Sequence, residues 1–209
     1  RELGWSPGLP LNVGWHCSDR ICQLGLARKP ALLWEDAQGH RRDFTFDDLR
    51  VQSNTVARHL GSLGVEPGER VCLFLDRVPE LYFAFLGILK LGAVVQPLFS
   101  AFGEESLQTR LADAGTVVVL TQKKHLPKVR RARASLPALR LVLVLDASGA
   151  LQPGEQALDL GRLSPVERFE PYPTYAESPS LLHYTSGTTG QPKGAQHVHH
   201  ALLSQYYTA

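Results

Sequence analysis

The sequence predicts an α/β fold in which a mainly parallel sheet is flanked by helices. Between residues 70 and 145, short apolar runs alternate with helical segments of roughly 11 to 15 residues, as in βαβ units. The run at 70–75 is apolar almost throughout, which indicates a strand covered on both faces. With 209 residues, of which 44% are apolar, the chain is long enough to bury one substantial core.

Individual elements are predicted from periodicity and from the residues that begin or end helices. Asn12 is a candidate N-cap, and Thr45 with Asp48 forms a candidate capping box. Pro79 stands at a helix start, and Gly follows three of the helical segments. Helices are predicted at 12–24, 46–63, 80–91, 104–114 and 123–135, and strands at 31–34, 43–46, 70–75, 93–97, 116–120 and 139–145.

The chain divides into three parts on this basis. Residues 12–145 form the α/β subdomain, and residues 180–209 are predicted as a strand, a phosphate loop and a helix. Residues 146–179 contain five prolines and little periodicity. We interpret them as a surface excursion or a linker between the other two parts.

The phosphate loop is predicted from the run Tyr-Thr-Ser-Gly-Thr-Thr-Gly-Gln-Pro-Lys-Gly at 184–194. A buried strand is predicted before it at 181–184, and a helix after it at 197–207. Such a turn holds phosphate because backbone N–H groups point inward and the helix N-terminus adds partial positive charge. The spacing fits neither a Walker A loop, since Pro192 replaces the second Gly, nor the pattern G-x-G-x-x-G. The alternative is a flexible surface turn without chemistry.

This run resembles the signature loop of the adenylate-forming (AMP-binding) superfamily, Tyr/Phe-Thr-Ser-Gly-Ser/Thr-Thr-Gly-x-Pro-Lys-Gly, at every position. The resemblance implies that the loop holds the β- and γ-phosphates of ATP, with Mg²⁺ bridging phosphate oxygens, while a carboxylate attacks the α-phosphate. The products are an acyl-adenylate and pyrophosphate, and coenzyme A then takes the acyl group and releases AMP. Lys193 is the expected catalytic residue. The expected phosphate-binding residues are Thr185, Ser186, Gly187, Thr188, Thr189, Gly190 and Gly194.

Flanking segments narrow the resemblance to acyl-CoA synthetases, and within them to the bacterial acetyl-CoA synthetases. The first similarity lies at 70–82 and 85–93, and the second at 97–102, 110–114, 117–121, 182–190 and 197–199. The resemblance implies the first part of the large N-terminal domain of an adenylate-forming enzyme, a ligase that acts on acetate. Medium-chain and aryl acids are the alternative substrates.

Further motifs of the superfamily, and its small C-terminal domain, are not found in this sequence. The chain has no Met at position 1 and ends at Ala209 within a helical pattern. We interpret it as part of a larger protein, with the remainder of that protein as its partner, and expect no measurable adenylation from the 209 residues alone. A non-catalytic product of a truncated gene is the alternative.

Composition argues against several other classes of protein. The net charge of +2 is too small to argue for nucleic acid, and no apolar run approaches the roughly 20 residues that span a bilayer. Cys17, Cys22 and Cys72 cannot all pair with one another, and we interpret them as reduced thiols of a cytoplasmic protein. His197 and His200 have no acidic or Cys partner at ligand spacing, so no metal site is assigned.

Basic side chains crowd the helix predicted at 123–135. A solvated helix face explains them. The alternative, implied by the resemblance to acetyl-CoA synthetases, is a docking patch for the 3′-phosphate end of coenzyme A, with Arg130 and Arg131 as candidates. Nucleic-acid binding is disfavoured because no aromatic residues are interleaved.

Overall fold

The computed structural model of the protein describes residues 5–186, 192–201 and Ser204. In this part of the chain, seven strands form one sheet. They are Arg70–Phe74 (β3), Val94–Pro97 (β4), Val118–Thr121 (β5), Leu141–Val144 (β6), Glu155–Ala157 (β7), Pro179–Ser186 (β8) and Pro192–Val198 (β9). Their order in the sheet is β7–β6–β5–β3–β4–β8–β9. Neighbouring strands run parallel except β8 and β9, which form an antiparallel hairpin. The predicted mainly parallel sheet is therefore confirmed.

Helices cover both faces of this sheet. Alternate residues of β3 point to opposite faces, so Val71 and Leu73 pack against the helices of one layer and Cys72 and Phe74 against those of the other. The helices are Val13–His16 (α1), Asp19–Ile21 (α2), Phe46–Ser62 (α3), Pro79–Lys90 (α4), Glu104–Ala114 (α5) and Leu126–Arg133 (α6), with a π-helical turn at Cys22–Leu26. The first layer contains α3 and α4, and the second contains α5 and α6.

A separate two-stranded sheet, Pro30–Glu35 (β1) and Arg41–Thr45 (β2), precedes α3. The predicted capping box joins β2 to this helix. Thr45 Oγ1 accepts a hydrogen bond from the Asp48 backbone N–H, and the Asp48 carboxylate accepts one from the Thr45 backbone N–H. The predicted N-cap of α1 is also present, since the Asn12 side chain accepts from the Trp15 backbone N–H. Both signals act within a few residues, which explains why the sequence reveals them.

Helices α3 and α4 cross closely at Gly87. A Cβ atom on Gly87 would lie 2.7 Å from the Ser53 carbonyl oxygen and 2.8 Å from Val56 Cβ. Contacts this short to a backbone atom and to the root of a side chain are relieved only if the two helices separate.

The Gly87→Ala substitution is therefore expected to lower the free energy of unfolding by roughly 1–3 kcal/mol, measured by urea denaturation. Gly61→Ala, in α3, is the matched control, because the atom nearest its Cβ would be Leu91 Cδ1 at 3.4 Å, an ordinary contact distance. There the higher helix propensity of Ala should stabilise the protein by about 0.5–1 kcal/mol. Equal losses in both variants would contradict the close crossing.

The proline-rich segment 146–179 is more ordered than the prediction of an excursion or linker implies. Its residues Glu155–Ala157 form β7, which extends the sheet beside β6. Farther along, the Val166 backbone N–H donates to Thr55 Oγ1 at 3.1 Å, and that of Tyr172 donates to the Lys90 carbonyl oxygen at 2.8 Å. A three-residue strand is too short to show a period of two, so the sequence pattern missed it.

The predicted order of strand, phosphate loop and helix lacks a strand that the structure places directly after the loop residues. The residues after the loop form strand β9, which includes His197 and Val198 of the predicted helix 197–207. A turn at 199–200 follows, and Ala201 and Ser204 are helical. Pairing with β8 accounts for the strand, since every rung from Ser186↔Pro192 to Leu181↔His197 is formed between the two segments. The loop is consequently the connection of a β-hairpin.

Candidate active site

The sheet order creates a crevice at the carboxyl end of β3. The connection after β3 runs through α4 on one face, whereas those after its neighbours β4 and β5 run through α5 and α6 on the other. Ligands of open α/β sheets bind at such reversals, outside the carboxyl ends of the strands. An open cleft of about 500 Å³ lies here. The residues that line it include Asp76, Arg77, Phe99, Ser100, His183 and Tyr184.

Asp76 supplies a fixed negative charge to this cleft. Its carboxylate contacts Lys124 Nζ and lies 2.8 Å from His125 Nε2, and its backbone N–H donates to Gln122 Oε1 at 2.9 Å. The hydrogen bond from Lys124, with smaller contributions from Ser100 and His125, holds the pKa of Asp76 well below its usual range. Asp76 therefore stays ionised and fixes the segment after β5 against the end of β3.

The β8–β9 hairpin brings together the predicted phosphate-binding residues on either side of the loop. Thr185 lies directly opposite Lys193, and Ser186 lies opposite Pro192. Side chains of opposed residues in an antiparallel pair lie on the same face, so the Thr185 hydroxyl and the Lys193 ammonium share one side of the hairpin. Both residues are exposed. Together they place a donor and a cation at the base of the loop.

The central residues of the predicted loop, Gly187, Thr188, Thr189 and Gly190, lie outside the described residues. Gly194 is described and lies opposite Tyr184. A Cβ atom at Gly194 would lie 3.1 Å from Leu182 Cδ1 and 3.5 Å from Tyr184 Cε1. A side chain at this position would therefore press first on Leu182, whereas the Tyr184 ring lies at an ordinary contact distance.

Both candidate coenzyme A contacts are paired with carboxylates of the chain itself. Arg130 donates from Nε and Nη2 to the two carboxylate oxygens of Glu155, each at 2.8 Å, and the Glu155 side chain is only 1% exposed. This pair joins α6 to β7. Arg131 binds Glu104 at the surface. The role of the two arginines in binding coenzyme A stays a prediction.

His197, in β9, and His199, just after it, have separate surroundings. The ring of His197 lies edge-on to that of His183, with 6.3 Å between the centroids. His199 is fully buried, and its Nδ1 accepts from the Val13 backbone N–H at 3.1 Å. Burial lowers the pKa of His199 to about 4, so the ring is neutral at pH 7. Across residues 5–186, 192–201 and 204, no group of three or more His, Cys, Asp or Glu side chains is placed to hold a metal ion.

All three cysteines are free thiols, and burial raises the pKa of each. For Cys17 the pKa rises to about 11. None of the helices in the part of the chain that the structure covers is long and apolar enough to cross a membrane.

The sequence profile of one family, described as "AMP-binding enzyme", matches residues 24–209. The chain belongs to the AMP-binding enzyme family. An acetyl-coenzyme A synthetase from Bacillus subtilis (strain 168) is 36% identical over 201 residues, which are 95% of this chain and 34% of that protein. A 3-hydroxypropionyl-coenzyme A synthetase from Sulfurisphaera tokodaii is 32% identical over 207 residues, with 92% and 31% covered. The chain thus spans about a third of the length of these relatives.

Solved structures of acyl-CoA synthetases share the fold of this chain. The acyl-CoA synthetase of Brucella canis superposes with a TM-score of 0.82 at 28% identity, over 96% of this chain and 36% of that one. The anthranilate CoA ligase AuaEII, in complex with anthranoyl-AMP, superposes with a TM-score of 0.81 at 28% identity. That match covers 98% of this chain and 38% of the ligase. The predicted family and fold class are both confirmed.

Sequence reasoning missed two residues of the candidate site. Asp76 was assigned no role, and neither was Asp113, which accepts a hydrogen bond from Tyr184 Oη at 2.6 Å. The ends of predicted parallel strands were an available signal for Asp76. No local pattern connects Asp113 to Tyr184, because the two lie 71 residues apart in sequence.

Proposed function

We propose that this chain is the phosphate-binding part of an AMP-forming acyl-CoA synthetase. The enzyme uses ATP to activate a short carboxylic acid to an acyl-adenylate, then forms the thioester with coenzyme A and releases AMP and pyrophosphate. The observation that carries the proposal is the hairpin, which places Thr185 and Lys193 opposite each other at the base of the signature loop. The adjacent open cleft at the carboxyl ends of β3 and β4 supports it.

The residues around the loop fit a polyphosphate group. The Lys193 ammonium and the Thr185 hydroxyl are both exposed on adjacent strands, where they can contact phosphate oxygens. Together with Ser186, Gly194 and the loop residues, they offset the negative charge that develops on the departing pyrophosphate. Mg²⁺ bound with ATP would neutralise further phosphate charge. Lys193 is the proposed catalytic residue because its charge stabilises the leaving group.

Acetate is the proposed acid because the Bacillus subtilis relative, at 36% identity, is named as an acetyl-coenzyme A synthetase. Medium-chain and aryl acids remain the alternatives, and the similarity to an anthranilate CoA ligase favours testing an aryl acid beside acetate. We place the reaction in the cytoplasm. We also propose that residues 12–145, 146–179 and 180–209 are parts of one N-terminal domain.

Calorimetric titration of the chain with inorganic pyrophosphate tests the role of Lys193. We expect Lys193→Ala to weaken binding by about tenfold, because a charge-assisted contact to phosphate is lost. Lys29→Ala, at an exposed lysine before β1, should leave the affinity unchanged. Equal affinity in the wild type and Lys193→Ala would contradict the assigned role.

Coenzyme A docking at α6 is tested best at Arg131, whose side chain is 57% exposed. If the patch binds the 3′-phosphate, Arg131→Glu in the full-length enzyme raises the KM for coenzyme A and leaves that for ATP unchanged. Arg130→Glu is the less specific variant, because it also breaks the pair with buried Glu155. An unchanged KM for coenzyme A in both variants would show that the patch does not bind coenzyme A.

A further inference from the structure

Tyr184, the residue before Thr185 on β8, is held from several sides. Its Oη donates to Asp113 Oδ2 at 2.6 Å. The guanidinium carbon of Arg110 lies 5.8 Å from its ring centroid. Gly194 lies opposite it on β9. These contacts fix the side chain of one residue at the base of the signature loop.

The helix that supplies Asp113 is itself fixed to the sheet. The Arg110 carbonyl oxygen accepts from Gln96 Nε2 of β4 at 3.0 Å. The Arg110 guanidinium lies over the Phe102 ring, 4.3 Å from its centroid, and donates to the Ser106 carbonyl oxygen at 2.7 Å. The last turns of α5 are therefore a rigid support for the Tyr184 hydroxyl.

The backbone holds this end of the hairpin weakly. The ladder between β4 and β8 in the described residues consists of the pair Val95 and Leu181. Beyond Leu181, β8 continues for five residues with β9 as its ladder partner. The direction in which the hairpin leaves the sheet is thus set by side-chain contacts from β8 to the rest of the domain.

We propose that Asp113 is a positioning residue, which holds the loop hairpin against α5 through the Tyr184 hydroxyl and so sets the place of Thr185 and Lys193. The role rests on the proposed function, because position matters there for phosphate binding. Burial, with the bond to Asp113 in addition, raises the pKa of Tyr184, so the hydroxyl remains a donor at neutral and mildly alkaline pH. The signature pattern also admits Phe at this position, which cannot make the bond.

Amide hydrogen exchange of the 209-residue chain directly tests whether the bond between Asp113 and Tyr184, called the anchor below, holds the hairpin in place. In Asp113→Ala, we expect exchange at Thr185, Lys193 and Gly194 to rise about tenfold relative to wild type, while exchange at Val71 and Val119 in the central strands stays unchanged. Tyr184→Phe should reproduce the effect, and the double variant should add nothing further. Glu105→Gln, which removes an exposed carboxylate from the same helix, is the control for charge.

Titration with inorganic pyrophosphate then connects the anchor to function. We expect Asp113→Ala to weaken the affinity by about three- to tenfold, whereas Asp113→Asn, which still accepts a hydrogen bond, stays near wild type. Unchanged exchange at the hairpin, or additive effects of Asp113→Ala and Tyr184→Phe, would overturn the anchor. Absence of pyrophosphate binding by the wild type would instead count against the proposed function, and hydrogen exchange would still decide the anchor.

Discussion

Replacement of Asp19 by Ala is expected to lower the free energy of unfolding by roughly 3–5 kcal/mol at neutral pH. The partner of Asp19 is Lys90, whose side chain is 1% exposed in α4. Lys90 Nζ lies 2.5 Å from Asp19 Oδ2 and 2.7 Å from Asn54 Oδ1. Without the carboxylate, an ammonium would remain buried and uncompensated. The pair joins α2 to α4. Chemical denaturation followed by circular dichroism measures the loss of unfolding free energy.

The pH dependence of the Asp19→Ala variant provides a second readout. Burial already lowers the pKa of Lys90 in the wild type, and loss of Asp19 removes the contribution that opposes this shift. The unfolded chain then binds a proton at a pH where the folded variant does not, so the stability of the variant should rise as pH rises toward the unfolded value near 10.4.

Two comparisons separate charge from packing at this site. The double variant Asp19→Ala/Lys90→Met should recover most of the lost stability, because no unpaired charge remains. Asp159→Ala, which removes an ion pair whose side chains are 88% and 53% exposed, should cost at most about 1 kcal/mol. If the double variant is as unstable as Asp19→Ala alone, the loss comes from packing and the charge argument is wrong.

Acidification from about pH 6.5 to about pH 4 is expected to destabilise the protein through His16 and His199. Burial lowers the pKa of each ring to about 4, with Arg20 adding to the effect at His16 and His16 adding to that at His199. In this window the unfolded chain binds protons that the folded chain does not, so stability falls as pH falls. At 1.36 kcal/mol per pKa unit, the loss is roughly 3 kcal/mol for each histidine.

Protonation of His199 would also remove the acceptor for the Val13 backbone N–H. The turn that contains His199 follows β9, so acid should loosen the attachment of the hairpin to α1. His199→Asn keeps an acceptor at a similar place without a titrating ring. Urea denaturation at several pH values should show a flatter profile in His199→Asn, and an unchanged one in His200→Gln at the surface. A wild-type profile in His199→Asn would contradict this assignment.

Local signals explain which elements the sequence predicted well. Helix α5 has the predicted bounds, Glu104–Ala114, because it begins with acidic residues and ends at Gly115, which adopts a left-handed conformation. Helix α6 begins later than predicted, at Leu126. The residues before it form a turn, in which the Lys123 backbone N–H donates to Asp146 and the Lys124 ammonium contacts Asp76. Those contacts come from distant residues, and no periodicity within 123–135 reveals them.

The candidate site shows the same division between local and distant information. The composition and spacing of residues 184–194 sufficed to predict the family, whereas phosphate binding by these residues stays a prediction. The sheet order was needed to place the cleft beside Asp76, and the fold was needed to bring Asp113 to Tyr184. The misassigned helix at 197–198 has a similar cause, since β9 is stabilised by its partner strand rather than by its own pattern.

Carboxylate-dependent exchange of labelled pyrophosphate into ATP tests the central claim most directly. The measurement compares the 209-residue chain with a protein in which the chain continues to the length of its relatives. We predict acetate-dependent exchange in the longer protein, its loss in the Lys193→Ala variant of that protein, and no measurable exchange in the 209 residues alone. Absence of exchange in the longer protein with acetate and with medium-chain and aryl acids would contradict the proposed function. Exchange by the 209 residues alone would contradict the assignment of this chain as only the phosphate-binding part.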